Sequence, residues 1–258
     1  MGRPPSEFAE ADLCDGYATA RGIARARRTV SESGHRGARL GIVTVPGPPT
    51  TLPGTPQITT LPAGTVLRRI HGGFDADAFN STAQPSRLAG GRFDSLDGGY
   101  AYVYLGADDD SAIAETLCRD LPLDGTARLV PRMRILGRRI TSVEVVRNLN
   151  ILMLHGAALT QVGAGLWLTK SGADQYEATR AWAARLLQLL PDIDGFEYRC
   201  RHDEDRMAWA LFDDSHTAPG RAHGALRAKP DTRSLDSEAG LVDLERVLAN
   251  HNAAVEPR

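Results

Sequence analysis

Short apolar runs separated by polar and glycine-rich breaks fill the chain after about residue 60. Runs of β-branched and aromatic residues bounded by Gly, Asp or Pro are typical of strands. We therefore expect a sheet-based domain that begins at residue 61. The pattern predicts strands at residues 65–70, 101–105, 127–136, 139–146, 195–199 and 207–212.

Apolar residues at helical spacing predict helices at residues 111–119, 147–162, 174–190 and 237–250. In the third of these helices, Asp174 and Glu177 have the spacing of a capping box. The predicted strands are clustered and do not alternate regularly with helices. This order favours an α+β fold, a mixed β core with flanking helices, over a doubly wound α/β fold.

The first 60 residues differ from the rest of the chain. Residues 6–28 carry acidic side chains early and arginines late, the order that suits a helix dipole, and this predicts a solvated helix. Residues 31–62 are rich in Gly, Pro, Ser and Thr, which predicts an extended linker. We therefore expect an N-terminal helix and linker over residues 1–60 and one main domain with a C-terminal helix over residues 61–258.

Composition narrows the functional classes. A chain of 258 residues with 42% hydrophobic content can bury a substantial core, and a net charge of −2 favours neither nucleic acid nor an anionic membrane as partner. No apolar run reaches the roughly 18 residues of a membrane span, and the N-terminus lacks the apolar core of a signal peptide, so we expect a cytoplasmic protein. The three cysteines have no pairing or ligand spacing, which argues against disulfides and a metal site.

Basic, phenolic, acidic or thiol groups stand beside apolar runs at four places, residues 67–71, 90–94, 102–116 and 194–201. Burying an unpaired charge costs several kcal/mol, so such groups are usually paired or used. Arg69 is either an anion ligand or an ordinary surface arginine of a strand. Arg92 follows two glycines and offers a planar fork suited to phosphate. Tyr104 either stacks on a planar ligand or is a core tyrosine.

The local pattern around Glu115 predicts an ordinary solvated glutamate. Its apolar neighbours Ile113, Leu117 and Leu121 define one face of the predicted helix, and Glu115 falls well away from that face. The local pattern therefore does not support a functional role for Glu115, and only the order of the motifs along the chain can indicate one.

Taken in order, these motifs resemble the RES-domain family, which is named for an Arg, a Glu and a Ser. The resemblance covers about residues 61–212. It rests on Arg69-Ile70-His71, Phe79-Asn80, Gly91-Arg92-Phe93-Asp94, Val103-Tyr104-Leu105, Ala112-Ile113-Ala114-Glu115-Thr116, Arg180-Ala181-Trp182-Ala183, Asp194-Gly195 and Tyr198-Arg199-Cys200-Arg201.

The resemblance implies a fold similar to ADP-ribosyltransferase toxins and a bacterial toxin that consumes NAD and is neutralised by an antitoxin. By position it implies Glu115, Arg69 and Tyr104 as catalytic residues. It implies Arg69, Arg92, Tyr104 and Cys200 as NAD-binding residues. Cys200 departs from the pattern, because it stands where the family serine is expected and a thiol is a poorer hydrogen-bonding group than a hydroxyl.

The expected activity is cleavage of the nicotinamide–ribose bond of NAD+ as substrate, with no metal. The sequence leaves the acceptor open: water gives a glycohydrolase, phosphate a phosphorylase, and a target protein an ADP-ribosyltransferase. A second hypothesis is a catalytically inactive RES-like binding module. It is suggested by Cys200 and by the long N-terminal extension.

Overall fold

The computed structural model describes residues 45–85, 90–214 and 221–257. Its strands are β1 (Ile58–Leu61), β2 (Val66–His71), β3 (Ala101–Gly106), β4 (Leu129–Val130), β5 (Arg139–Val145), β6 (Leu149–Met153), β7 (Gly195–Cys200), β8 (Asp203–Asp213), β9 (Leu226–Ala228), β10 (Arg233–Ser234) and β11 (Ala254–Val255). Nine of them form one mixed sheet in the order β1-β6-β7-β8-β3-β2-β5-β10, and β9 also pairs with β5. Within this sheet β6 and β7 are parallel and the other pairs are antiparallel, whereas β4 and β11 form a separate parallel pair.

The helices flank this sheet, so the expected α+β class is confirmed. They are α1 (Asp109–Ile113), which continues into a π-helical turn (Ala114–Cys118), α2 (Ala158–Gln161), α3 (Trp167–Lys170), α4 (Tyr176–Leu189) and α5 (Glu238–Asn250). Short 3₁₀ turns lie at Arg132–Arg134 and Ala173–Gln175. No helix in the described ranges is long and apolar enough to cross a membrane.

Three apolar clusters pack against the sheet. The first places Phe93 and the buried face of α4 against aromatic residues of β7 and β8. The second lies on the opposite face and contains Leu67, Val103 and Trp209. The third joins Ile70 to α1, the π-helical turn and α5. The central strands β3, β7 and β8 therefore bury side chains on both faces, so that neighbouring residues of one strand lie in different clusters.

The sheet is least continuous between β2 and β3, where the register pairs Arg68 with Gly106 alone. Gly106 is also where α1 approaches most closely, since a Cβ there would lie 2.5 Å from the backbone nitrogen of Ala112. A capping box between Asp108 and Ser111 starts α1 directly after this point. The glycine and the cap together place the start of the helix against the sheet.

Five predicted strands match β2, β3, β5, β7 and β8, and the predicted helix at 237–250 matches α5 with Ser237 as its N-cap. The predicted strand at 127–136 is wrong, because Pro131 ends β4 after two residues and a 3₁₀ turn follows. The helix predicted at 147–162 is present only at its end, as α2 over residues 158–161. Residues 149–153 form β6, which lies between β1 and β7 and buries Leu149 and Ile151 on one face and Leu152 on the other.

The helix predicted at 174–190 is present as α4, but its predicted capping box is wrong, because Gln175 is the N-cap and makes no side-chain capping bond. The predicted helix at 6–28 lies outside the described residues. The described part of the Pro-rich stretch contacts α4. Trp182 Nε1 donates to the Pro46 carbonyl oxygen at 2.8 Å, and Arg185 Nε donates to that of Pro49 at 3.0 Å. The end of that stretch forms β1, which was not predicted.

Candidate active site

Glu115 is buried, with 8% of its surface exposed, so the prediction of a solvated glutamate is wrong. The helix that carries it packs between the sheet and neighbouring elements and has little solvent face, since Ser111, Ala112 and Ala114 are buried as well. Glu115 also lies in the π-helical turn, where the angular spacing of side chains differs from that of an α-helix. A pattern read with α-helical spacing therefore misplaced its side chain.

Arg92 and the backbone of Arg201 hold the Glu115 carboxylate. Arg92 Nη1 donates to Glu115 Oε2 at 3.3 Å, and the Arg201 N–H donates to Oε1 at 2.6 Å. Arg92 is itself 2% exposed. Burial is the largest single effect and lowers the pKa of Arg92, but the charge of Glu115, together with Tyr176 and Tyr198, raises the pKa above its ordinary value. The two side chains are therefore almost completely withdrawn from water.

A short turn fixes the backbone that carries Arg92. Gly90 has a φ of +77°, and the Asp94 carboxylate accepts from the Gly91 N–H at 2.6 Å. A Cβ at Gly91 would lie 2.6 Å from the Tyr104 hydroxyl oxygen, so this position has room for glycine alone. On the other side of the turn, Thr179 Oγ1 donates to the Arg92 carbonyl at 2.6 Å.

Tyr104 is part of this support. Its hydroxyl donates to Asp94 Oδ1 at 2.7 Å and accepts from the Phe93 N–H at 2.8 Å. Burial and the neighbouring Asp94 charge raise the pKa of Tyr104 well above its usual value, so the phenol stays protonated. The tyrosine that was expected beside a ligand thus lies beside the Arg92 turn and positions it.

Cys200 lies at the end of β7, next to the carboxylate. It is fully buried, and its Sγ contacts the Ser111 carbonyl oxygen at 3.9 Å. Burial, followed by the charge of Glu115, raises the pKa of the thiol far above its ordinary value. Cys200 is therefore an uncharged thiol with weak hydrogen-bonding capacity beside the Arg92–Glu115 pair.

Arg69 is on the other face of the sheet from this cluster. In β2 its neighbour Ile70 packs with α1 and the π-helical turn, so the Arg69 side chain points away from them. Arg69 Nη1 donates to the carbonyl oxygens of Ala76 and Ala78. Burial lowers the pKa of Arg69 to about 10, although Asp77 partly opposes the shift. The structure thus brings together Arg92, Tyr104, Glu115 and Cys200, but not Arg69.

Two residues of the cluster were given no role by the sequence. Arg180 of α4 is fully buried and donates from Nε to the Gly91 carbonyl at 3.0 Å and from Nη1 to that of Gln84 at 2.7 Å. Its place within the apolar pattern of α4 was a usable signal, since a buried arginine must have partners. Ser171 ends α3 and accepts from Arg92 Nε through its carbonyl at 3.4 Å. A single serine at a helix end carries no such signal.

Two arginines beside the cluster, Arg119 and Arg201, are partly exposed, and Arg201 Nη1 donates to the Arg119 carbonyl oxygen at 2.9 Å. Arg119 also pairs with Asp120 at 3.3 Å. The Arg119 guanidinium lies 5.6 Å from the centre of the Tyr176 ring. Among the described residues, no group of three or more His, Cys, Asp or Glu side chains could hold a metal ion. The arrangement can therefore bind an anion beside a buried carboxylate.

Comparison with known proteins identifies the class. The sequence model of the RES domain matches residues 66–233, and the chain belongs to the RES-domain family. No curated protein sequence matches the chain. A chain of the M. tuberculosis MbcT–MbcA toxin–antitoxin complex is similar in structure, with a TM-score of 0.48 and 15% sequence identity over 68% of this chain and 86% of that chain.

Proposed function

We propose that this protein is a RES-type toxin that cleaves the nicotinamide–ribose bond of NAD+. The observation that supports this most is the buried Arg92–Glu115 pair at 3.3 Å in a chain of the RES-domain family. A charge pair with so little water around it is costly to maintain, and such pairs are common where an enzyme stabilises charge. The partly exposed arginines Arg119 and Arg201 suit the pyrophosphate of a dinucleotide.

Bond cleavage moves positive charge from the nicotinamide ring onto the ribose, as in glycoside hydrolysis. A carboxylate beside the ribose stabilises that charge more in the transition state than in the ground state. At about 4 Å and an effective dielectric near 20 the interaction is about 4 kcal/mol. If most of this interaction acts only in the transition state, it accelerates the reaction by a factor of roughly 10² to 10³. Glu115 is the residue proposed for this role.

The other residues hold Glu115 and the substrate. Arg92 fixes one carboxylate oxygen and has a second guanidinium nitrogen, Nη2, without a partner among the described residues. Tyr104 fixes the turn of Arg92 through Asp94. Cys200 lines the same place as a neutral thiol. Arg69 acts at a distance, by holding the loop of residues 75–78 against β2.

Nicotinamide release from NAD+ by purified protein tests the proposal, with and without inorganic phosphate. We expect release by the unaltered protein and, per folded molecule, a loss of about 10²-fold or more in Glu115→Gln. The matched control is Glu144→Gln in β5, whose partly exposed carboxylate pairs with Lys229 at 3.0 Å. Dependence on phosphate identifies a phosphorylase, and independence a glycohydrolase. NAD+ binding without any release contradicts the proposal and favours the binding module.

The cellular role is part of the proposal: a cytoplasmic enzyme that depletes NAD+ and is neutralised by an antitoxin protein. Expression in a host without a partner should arrest growth and lower the NAD+ content, and Glu115→Gln should be tolerated. If a labelled NAD+ analogue instead marks a host protein, the activity is that of an ADP-ribosyltransferase. Growth and NAD+ content equal to those of the Glu115→Gln strain would contradict the toxin assignment.

A further inference from the structure

The turn between β7 and β8 contacts the helix that carries Glu115. Cys200 at the end of β7 pairs with Asp203 at the start of β8, so Arg201 and His202 form the tip of this hairpin. The Arg201 N–H donates to Glu115 Oε1 at 2.6 Å. The position of the hairpin tip therefore determines where one of the two donors to the carboxylate lies.

The pairing of the two strands does not by itself fix the tip. The register shifts directly behind it, because Arg199 pairs with Met207 while its neighbour Cys200 pairs with Asp203. Such an irregularity bends the end of a strand. Neither residue at the tip has a positive φ, whereas the two-residue turns that match the twist of a hairpin require one. Contacts outside the hairpin are therefore needed to hold the tip.

Both side chains of the tip are hydrogen-bonded to one carbonyl group. Arg201 Nη1 and His202 Nε2 lie 2.9 and 3.1 Å from the Arg119 carbonyl oxygen. Arg119 is the C-cap of the π-helical turn that contains Glu115. Carbonyl groups at a helix end have no partner within the helix, so they are available to other donors. The two bonds join the hairpin tip to the segment that carries the carboxylate.

The second ring nitrogen of His202 determines its protonation state. Arg128 Nη2 lies 3.3 Å from His202 Nδ1, and a guanidinium group can only donate, so Nδ1 accepts and carries no proton. Nε2 then carries the ring proton and donates to the Arg119 carbonyl oxygen. This arrangement exists only in the neutral ring. A second proton would bring two donors and two positive charges together at Nδ1.

Each element packed against the turn carries charged groups. They are Glu115 and Arg119 of the helix, Arg128 before β4, Lys170 of α3, and Arg201 and Asp203 of the hairpin, the last paired with Arg206. Burial is the largest effect on His202 and lowers its pKa from the ordinary value of 6.5, and Arg201 and Arg128 act in the same direction. The bond to the helix carbonyl and the charge of Glu115 oppose this shift without reversing it. The ring is therefore neutral at neutral pH and gains a proton only in acidic solution.

We propose that His202 is a positioning residue for Glu115, whose neutral ring joins the β7–β8 turn to the helix and whose protonation separates the two. When they separate, the Arg201 N–H no longer holds Glu115 Oε1, and the carboxylate loses its orientation toward the ribose. His202 itself does not touch the substrate. This inference rests on the proposed function and adds to it a loss of activity in acidic solution.

The test measures kcat and KM for nicotinamide release, per folded molecule, from about pH 8 to about pH 5 in the unaltered protein, His202→Ala and His202→Gln. In the unaltered protein kcat should fall below about pH 6.5, by up to about tenfold as the ring gains its proton. His202→Ala should lower kcat by about tenfold at neutral pH and leave KM within about twofold, because Glu115 acts on the transition state.

His202→Gln provides the rescue, because glutamine offers an N–H group and an oxygen acceptor but gains no proton in this range. Its kcat at neutral pH should stay within about threefold of the unaltered value, and most of the fall in acid should disappear. The matched control is His155→Gln. His155 pairs with Glu197 at 3.1 Å, and Glu197 also accepts from Trp209 on the opposite face of the sheet. This control should leave the pH profile of kcat unchanged.

Nitrogen NMR of the His202 ring gives a second measurement that does not depend on activity. It should show a neutral ring with its proton on Nε2 at neutral pH, and the ring should gain its second proton only below about pH 6.5. A ring that is protonated at neutral pH, or one with its proton on Nδ1, overturns the inference whatever the activity is.

The outcomes separate the two proposals. If the unaltered protein releases no nicotinamide, the proposed function fails and this inference fails with it. If release occurs and His202→Ala keeps its kcat per folded molecule, the inference alone is overturned and His202 contributes to stability only. If release occurs and the fall of kcat in acid persists unchanged in His202→Gln, the inferred control by His202 protonation is overturned.

Discussion

Tyr104 donates a 2.7 Å hydrogen bond to Asp94, and the same carboxylate accepts from the Gly91 N–H on the far side of Arg92. The tyrosine therefore closes the turn that carries the arginine. This link connects a strand of the sheet to the charged pair, and it explains why a tyrosine in an apolar strand pattern keeps a polar function.

Replacing Tyr104 by phenylalanine should lower the free energy of unfolding by about 1–3 kcal/mol, because Asp94 and the Phe93 N–H each lose a buried partner. Tyr198→Phe is the control, since Tyr198 Oη has no partner among the described residues and its loss should cost nothing. Urea unfolding of both variants provides the measurement. Equal destabilisation of the two would show that the Tyr104 hydroxyl does not support the turn.

The charge pair should behave as a coupled unit in folding. Glu115→Gln leaves Arg92 buried without its counter-charge, and we expect a loss of about 3 kcal/mol in unfolding free energy. Arg92→Met alone should lower it similarly, because Glu115 then loses its counter-charge. The double variant should be less destabilised than the sum of the two single changes. Additive losses in a double-mutant cycle would mean that the two side chains do not interact.

Stability should fall with acidification because of His71. Its Nδ1–H donates to the Phe74 carbonyl oxygen, and its Nε2 is hydrogen-bonded to Thr141 Oγ1, both at 2.8 Å. Burial lowers the pKa of His71 from its ordinary value of 6.5. Below pH 6.5 the unfolded chain therefore binds a proton before the folded protein does, and the free energy of unfolding decreases as the pH falls.

The check is urea unfolding between pH 7.5 and about 5.5, a window that spans the ordinary histidine pKa. His71→Asn should reduce the slope of stability against pH. Part of the slope should remain, because burial also lowers the pKa of His202. A slope that His71→Asn leaves unchanged would show that the ring is not held in its neutral form.

The sequence predicted the fold class and five of the eleven described strands, because β2, β3, β5, β7 and β8 are short runs of β-branched, aromatic or other apolar residues bounded by Gly, Asp or Pro. It failed at β6, whose burial on both faces gives an apolar run that a helix also shows. The sequence pattern also could not predict the burial of Glu115, because the π-helical turn and the packing around it depend on the tertiary structure.

The candidate site was predictable in part. The motifs identified Arg92, Tyr104, Glu115 and Cys200, which the structure places together. They also included Arg69, and strand alternation alone does not say which sheet face a site occupies. Ser171, whose carbonyl oxygen contacts Arg92 and whose buried hydroxyl has no partner in the described part of the chain, belongs to none of these motifs.

The most direct test of the central claim compares kcat/KM for nicotinamide release in Arg92→Lys and Arg69→Lys, each corrected for its folded fraction. Lysine keeps the charge and removes the planar fork. We predict a loss of about 10²-fold or more in Arg92→Lys, because Glu115 and the substrate both depend on that guanidinium, and at most about threefold in Arg69→Lys. A large loss in Arg69→Lys with normal activity in Arg92→Lys would place the reaction on the opposite face of the sheet and contradict the account.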